Sequence, residues 1–371
     1  MKSIQTFILA TFFLFTSCGK EELQLITPIE KDFSPLTQIV QNNLSAFNGN
    51  AGLLLMSKDG KILYKQYFGS FNDNTYIPIA SGSKLTSMAT VMALVEDNSE
   101  GINLDYKVSK FFPSEFSANE RKDITIRQLM SHTSGFAGSS QWITFDNVTL
   151  TQATQGIGQG GTINGNTAGA TPISYAPNGT KFAYGGVSMH VAGGIAEKAT
   201  GKSWDIIFKE RIADKCQMPN TNYTGLGSTT NYRIAGGAGT RMMEYGSFLL
   251  MLINDGKFNG TQVLSKTSVN EILKDQTNNV PIASTPYETD ALRNSFRYGL
   301  GCWIEEVTNG KPTAFGCQGA FGFSPWLDIK RGIIGVLFVQ TSLGKVNTQP
   351  TPQTAPYTLI RNKINEIIDA A

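Results

Sequence analysis

Ser81 and Lys84 are the residues whose types and spacing most directly allow covalent chemistry in this chain. They stand where a short apolar segment, Ile77-Pro-Ile-Ala80, meets a helical pattern that runs to about Asp97. A serine at a helix start sits among unpaired backbone N–H groups, a place that favours negative charge. A lysine three residues later lies on the same helical face, within reach of the hydroxyl. One turn of backbone therefore supplies a nucleophile and a basic partner, the minimum for acyl transfer. A second Ser-x-x-Lys, Ser342-Leu-Gly-Lys345, follows an apolar strand and leads into a Pro/Thr-rich loop, so it reads as a chance match.

Other chemistries have weaker support. His132 and His190 are the only histidines, and no G-x-S-x-G elbow exists, which argues against a Ser-His-Asp triad. His190 sits among Val187, Met189, Val191 and Ala192 and reads as a core residue. Two histidines and scattered cysteines give no metal-ligand spacing, and no cofactor is expected. Gly156-Ile-Gly158-Gln-Gly160-Gly161 matches G-x-G-x-x-G, but it follows no strand and opens no helix. Net charge is +2 with 16% charged residues, and no basic stripe suggests nucleic acid as a partner.

The elements that must position Ser81 and Lys84 fall into a clear order. At 371 residues the length allows one large domain or two to three smaller ones. Residues 1–17 read as a signal peptide: Met1-Lys2, an apolar core from Ile4 to Phe15, then Thr16-Ser17 before Cys18. The small residues ahead of Cys18 resemble a bacterial lipoprotein cleavage site. That implies acylation of Cys18, export, and a lipid-anchored polar tether over residues 18–34. A hydrolase domain over residues 35–371 follows, expected as a monomer.

Pro35 to Phe47 has helical spacing, and two apolar runs, Ala51–Met56 and Ile62–Phe68, flank the turn Lys58-Asp59-Gly60-Lys61. Residues 137–179 are rich in Gly, Thr, Asn and Gln and show little periodicity, which predicts a long loop, a lid over a cleft or a surface insertion. Helices are predicted at Met189–Thr200, Met242–Asn254, Lys266–Leu273 and from about Tyr357 to Ala371. Strands are predicted around 298–307, 312–317, 321–328 and 332–340. Strands at both ends with helices between them predict an α+β fold. Its antiparallel sheet is built from about residues 35–80 and 290–371, and the helical part covers about 81–290. Asn309-Gly310 is a two-residue hairpin signal. Counting outward from it places Pro312 opposite Val307 and Cys302 opposite Cys317. That hydrogen-bonded pair has a Cα separation of ~5.5 Å, which a Cys302–Cys317 disulfide tolerates.

Several segments together resemble the class C β-lactamase-like serine hydrolases, which include esterases and D-amino-acid-specific peptidases. They are Ala80-Ser81-Gly82-Ser83-Lys84, Leu104 to Pro113, Ile124 to Phe136 with its Ser131-His132-Thr133-Ser134-Gly135, Pro177 to Gly186, Ala235 to Thr240, and Tyr298-Gly-Leu-Gly301. The resemblance covers roughly residues 36 to 371. It implies Ser81 as nucleophile, Lys84 and Tyr184 sharing the proton transfers, a structural His132, and an oxyanion held by the backbone N–H groups of Ser81 and Ala320. Which of Lys84 and Tyr184 is the base stays open.

Two departures bear on substrate. The family's Tyr-x-Asn reads Tyr184-Gly185-Gly186, so the substrate-side amide is missing. Its Lys or His, small residue, Gly reads Cys317-Gln318-Gly319, so the cation that holds a substrate carboxylate is missing. Charge-assisted hydrogen bonds of that kind contribute ~1.5–3 kcal/mol, and a thiol cannot replace them. Gly186, Cys317, Gln318 and Gly319 are therefore candidate substrate-binding positions with altered chemistry, and Arg241, Arg293 and Arg297 are candidate replacement cations. The reading is an esterase-like serine hydrolase acting on a neutral acyl substrate. The alternatives are a β-lactamase or D-Ala-D-Ala-type peptidase, or a relative that binds a ligand without turnover.

Overall fold

The apolar runs at the two chain ends form one sheet, because each is too short and too hydrophobic to stand alone. In the computed structural model, which describes residues 31–98, 101–176, 178–286, 297–349 and 351–370, seven antiparallel strands run β3-β4-β5-β6-β7-β1-β2. Here β1 is Ala51–Ser57, β2 Ile62–Phe68, β3 Arg297–Tyr298, β4 Trp303–Thr308, β5 Lys311–Gly316, β6 Ser324–Asp328 and β7 Ile333–Phe338. The central pairing, Gly52↔Phe338 through Ser57↔Ile333, joins the first strand to the last. The described residues from Phe33 onward cluster as one unit. The predicted signal segment and Cys18 lie outside the described residues, as does Arg293.

Both faces of this sheet are buried, and alternate residues serve each face. Leu54, Met56, Ile334, Val336 and Phe338 face the helical part, while Leu53, Leu55, Ile333, Leu337 and Trp326 face the terminal helices. Those terminal helices are α1 (Pro35–Asn42) and α7 (Pro356–Asp369), which supply Leu36, Val40, Tyr357, Ile360 and Ile364. On the other face lie α2 (Ser83–Asp97), α3 (Leu150–Gln159), α4 (Val187–Thr200), α5 (Met242–Ile253) and α6 (Lys266–Leu273). Every α2 residue from Ser83 to Leu94 is buried, so this helix is the hub of the helical part. The predicted α+β sheet from both ends, with its helical insertion, is the fold observed.

Three local expectations need correction. Tyr298–Val307 is not one strand: the chain reverses over Gly299–Cys302, and Tyr298 pairs back onto Trp303. Gly301 has φ +83°, and a Cβ there would lie 2.7 Å from the Lys84 carbonyl oxygen, so only glycine lets this turn press on α2.

Residues 137–179 are not a structureless loop. Thr149 and Gln152 form a capping box that starts α3, and a short hairpin, Gly161–Ile163 with Asn166–Ala168, follows. Gly156 and Gly158 lower helix propensity, which hides α3 in the sequence. In the fold their bare backbone lets Trp142 and Phe116 pack directly onto the helix.

Cys302 and Cys317 are thiols, not a disulfide. The counted register holds, with Trp303 opposite Gly316 and Val307 opposite Pro312. The sulfurs diverge, however: Cys302 Sγ is directed to the Ile272 carbonyl at 3.8 Å, and Cys317 Sγ to the Ser81 and Gly301 carbonyls.

Candidate active site

Ser81 occupies a single 3₁₀ turn, Ala80–Gly82, immediately before α2. Ala80 has φ +45°, a costly conformation for a residue with a Cβ, so the surroundings must hold this turn in place. They do so through three successive carbonyls. Ser83 Oγ donates to Ala80 O at 2.6 Å, Cys317 Sγ to Ser81 O at 3.1 Å, and Tyr245 Oη to Gly82 O at 2.7 Å. Ser83 Oγ also accepts the Ala238 N–H, which ties the turn to the glycine-rich run Ala235–Thr240.

Lys84 follows one turn later and is buried. Its Nζ lies 2.8 Å from Ser81 Oγ and 2.9 Å from the Ala235 carbonyl. Burial, which disfavours the ammonium, lowers its pKa to about 8. The ring of Tyr184 stands 4.6 Å from Lys84 Nζ, measured to the ring centroid. Tyr184 stacks on Trp303 at 5.2 Å and packs on His132 at 4.7 Å. The fold thus brings Tyr184 from a second segment of the helical part to Ser81 and Lys84, which share one.

His132 is a wall of this site rather than a member of a proton relay. It is fully buried at φ +58°, among Phe182, Tyr184 and Tyr298, and neither ring nitrogen has a hydrogen-bond partner among the described residues. Burial and the nearby Lys84 hold its pKa well below the usual value, so it stays neutral. His190 is a satisfied core residue, bonded to Asn231 at 2.9 Å.

Residues 317–320 flank Ser81 from the sheet side. Cys317 and Gly319 do not form a regular strand, but the Gly319 N–H still pairs with Phe323 O at 2.8 Å, and Ala320 sits exposed at the tip of the turn. A Cβ on Gly319 would overlap the Ile79 carbonyl, so the backbones of the two turns touch. The Gln318 side chain is not in the cleft. It is buried on the opposite face of the sheet and donates to Glu305 at 2.6 Å, because adjacent residues of an extended chain point to opposite faces. Its grouping with Cys317 as a substrate contact is therefore corrected.

Gly186 lines a mainly apolar cavity of about 190 Å³ with Ile143, His190, Leu226, Ala235 and Gly236, and Arg233, paired with Asp146 at 3.5 Å, also borders it. A Cβ at 186 would meet only Ile143 at 3.7 Å and Ala235 at 4.0 Å, so the position has room that no amide fills. Arg241 donates to Asn74 at 3.4 Å and Arg297 pairs with Asp275 at 3.8 Å, which directs both candidate cations elsewhere. Ser342 and Lys345 are both exposed, and Ser342 caps a short helix, Leu343–Asn347. The Ala235 carbonyl and Trp303 were not singled out by sequence; the glycine-rich run around 235 was the available signal for the first.

The beta-lactamase family model matches residues 40–354, most of the chain. The chain belongs to the beta-lactamase family. Solved members of similar fold include a candidate beta-lactamase from Bacteroides dorei DSM 17855, 24% identical with a TM-score of 0.75, covering 91% of this chain and 99% of that one. EstCE1, a hydrolase with promiscuous acyltransferase activity, is 15% identical with a TM-score of 0.67, over 89% of this chain and 97% of its own. A family VIII carboxylesterase is 18% identical with a TM-score of 0.59, over 83% and 92%. No curated protein matches the chain. At these identities the likeness to solved structures concerns the fold. In this chain position 317 is a cysteine and position 186 a glycine.

Proposed function

We propose that this protein hydrolyses neutral carboxylic esters through an acyl-enzyme on Ser81. The observation that carries the reading is Lys84: a buried amine with a pKa of about 8, 2.8 Å from the Ser81 hydroxyl. As neutral amine it takes the Ser81 proton while Oγ bonds to the substrate carbonyl carbon. The developing oxyanion is held by the Ser81 and Ala320 backbone N–H groups. The hydroxyl of Tyr184, whose ring stands 4.6 Å from Lys84 Nζ, hands the proton to the departing alkoxide. Water then attacks the acyl carbon, its proton passes back along the same groups, and Ser81 is released as the carboxylic acid leaves.

The substrate side supports an ester over a β-lactam. Position 317 carries a thiol that donates to the Ser81 carbonyl, Arg241 and Arg297 are engaged elsewhere, and the Gly186 cavity is lined mainly by apolar groups. Arg233 also borders that cavity but pairs with Asp146 at 3.5 Å, so a substrate carboxylate would compete with Asp146 for it, whereas an uncharged acyl group loses nothing. The similar folds of EstCE1 and of a family VIII carboxylesterase are consistent with that choice. We propose in addition that acylated Cys18 anchors the exported chain to a membrane. Loss of palmitate labelling on Cys18→Ser is the expected result.

The test of the reaction is labelling with a fluorophosphonate, followed by peptide mapping. A label on Ser81, absent in Ser81→Ala, is expected, together with faster turnover of p-nitrophenyl acetate than of nitrocefin. Absence of any label sinks the serine mechanism, and a dominant nitrocefin activity sinks the substrate assignment.

A further inference from the structure

Gln318 adjoins the turn that carries Ala320, yet its side chain runs away from the cleft. Its Nε2 lies 2.6 Å from Glu305 Oε1, on the α7 face of the sheet. Glu305 is itself fixed. Arg361 Nη1 donates to its Oε2 at 2.7 Å and the Tyr357 hydroxyl to its Oε1 at 3.1 Å, both from α7. The ion-paired side chains are only 5% and 3% exposed, for Arg361 and Glu305. A buried carboxylate with a buried partner has few alternative positions, since moving either charge leaves the other unpaired. Arg361 is further confined against the Trp326 ring, 5.0 Å from its centroid.

Gly316 belongs to the same arrangement. A Cβ there would overlap both the Glu305 carboxylate and the Gln318 amide, so glycine is what lets the two meet across the strand. On the other face of the same segment, Cys317 Sγ donates to Ser81 O, and Gly319 lies against the Ile79 carbonyl. The stretch 317–319 is thus held from two sides: by Ser81's own turn in front and by a buried ionic group behind.

We propose that Gln318 is a positioning residue for the reaction at Ser81. Through Glu305, Arg361 and Tyr357 it locks the 317–320 turn at the depth where the Ala320 N–H meets the oxyanion. This rests on the acyl-enzyme reading above. A misplacement of about 1 Å in such a donor is enough to slow chemistry by up to about a hundredfold without abolishing binding.

The test compares Gln318→Leu, Tyr357→Phe and Ile364→Val with wild type, using p-nitrophenyl acetate kinetics, fluorophosphonate labelling rate and melting temperature. Ile364 is a buried α7 residue in the apolar cluster of this face and serves as a stability control. Gln318→Leu is expected to lower kcat by about tenfold or more. KM should change by less than about threefold, and labelling should slow in parallel with kcat. Tyr357→Phe removes one hydroxyl from the Glu305 group and keeps the buried ring. It is expected to lower kcat in the same direction by about threefold, and it keeps the test readable should Gln318→Leu fail to fold. Ile364→Val lowers the melting temperature but leaves kcat at the wild-type value. Wild-type kcat in Tyr357→Phe overturns the proposal, and so does an equal kcat loss in Ile364→Val. Failure of the wild type itself to be labelled overturns the acyl-enzyme reading, and this proposal with it.

Discussion

Lys84 concentrates the chemistry of this site in one titration. Burial lowers its pKa from 10.5 to about 8, and its amine touches both Ser81 Oγ and the Ala235 carbonyl. If the neutral amine is the base, kcat/KM rises with pH and levels off above an apparent pKa near 8. No additional limb near 6.5 is expected, because His132 and His190 are both held neutral by burial. A pH–rate profile on p-nitrophenyl acetate checks this; a plateau already reached at pH 6 contradicts it. The same shift has a stability consequence. A lysine whose folded pKa is depressed is more protonated unfolded than folded between pH 8 and 10.5, so its contribution to stability rises with pH across that window and is lost on falling through pH 8. Urea unfolding of wild type against Lys84→Met should show the difference moving in the wild type's favour from pH 7 to pH 9.5, by on the order of 2 kcal/mol.

At the scale of elements, turns rather than helices set the geometry. The 3₁₀ turn at Ser81, the reversal at Gly299–Cys302 and the turn at 317–320 converge on the start of α2. Gly301 is where they meet most tightly: a side chain there would sit 2.6 Å from Met88 Cγ and 2.7 Å from Lys84 O, at φ +83°. Gly301→Ala is therefore expected to cost at least about 2 kcal/mol, from backbone strain and overlap together. It should also lower kcat, because the displaced carbonyl belongs to Lys84. Denaturant unfolding and ester kinetics on the one variant check both, and unchanged kcat at reduced stability would separate this turn from the chemistry. The motif Tyr298-Gly-Leu-Gly301 was visible in the sequence, but its reversal was not. A strand pattern continues through it, and only contact with α2 at Gly301 and with the Ile272 carbonyl of α6 at Gly299 explains the two glycines.

The whole molecule is a sheet closed between its two chain ends and buried on both faces. Gly335 on β7 illustrates what that burial demands: a Cβ would overlap the Trp326 indole, which crosses it from β6 to reach Tyr357 of α7. Gly335→Val should destabilise the fold by at least about 2 kcal/mol, read as a lower urea midpoint at unchanged slope. It should also slow Ser81 labelling under native conditions, because the displaced Trp326 indole is what confines Arg361, the partner of Glu305. A labelling rate at the wild-type value would show that the Glu305 group holds without the indole.

The sequence by itself located most strands of the main sheet, and determined that they come from both ends and that Ser81, Lys84 and Tyr184 belong to one site. Those features are written locally, in period-2 apolar runs and in motif order, and the register counted from Asn309-Gly310 survives two bulges between Ile304 and Val307. It also located residues 317–319 beside the site. The tertiary structure alone decided which way those side chains point. Alternation along an extended chain sends Cys317 to the Ser81 carbonyl and Gln318 to Glu305, while the reversal at Gly299–Cys302 takes the Cys302 sulfur to the Ile272 carbonyl and keeps the two thiols separate. Likewise, α3 is hidden in sequence because glycine disfavours helix, and it forms because Trp142 and Phe116 occupy the space that side chains at 156 and 158 would take. Motif context already set Ser81 apart from Ser342; the fold supplies the physical reason, because one turn is held at three carbonyls beside a buried lysine and the other stands exposed ahead of the short helix Leu343–Asn347.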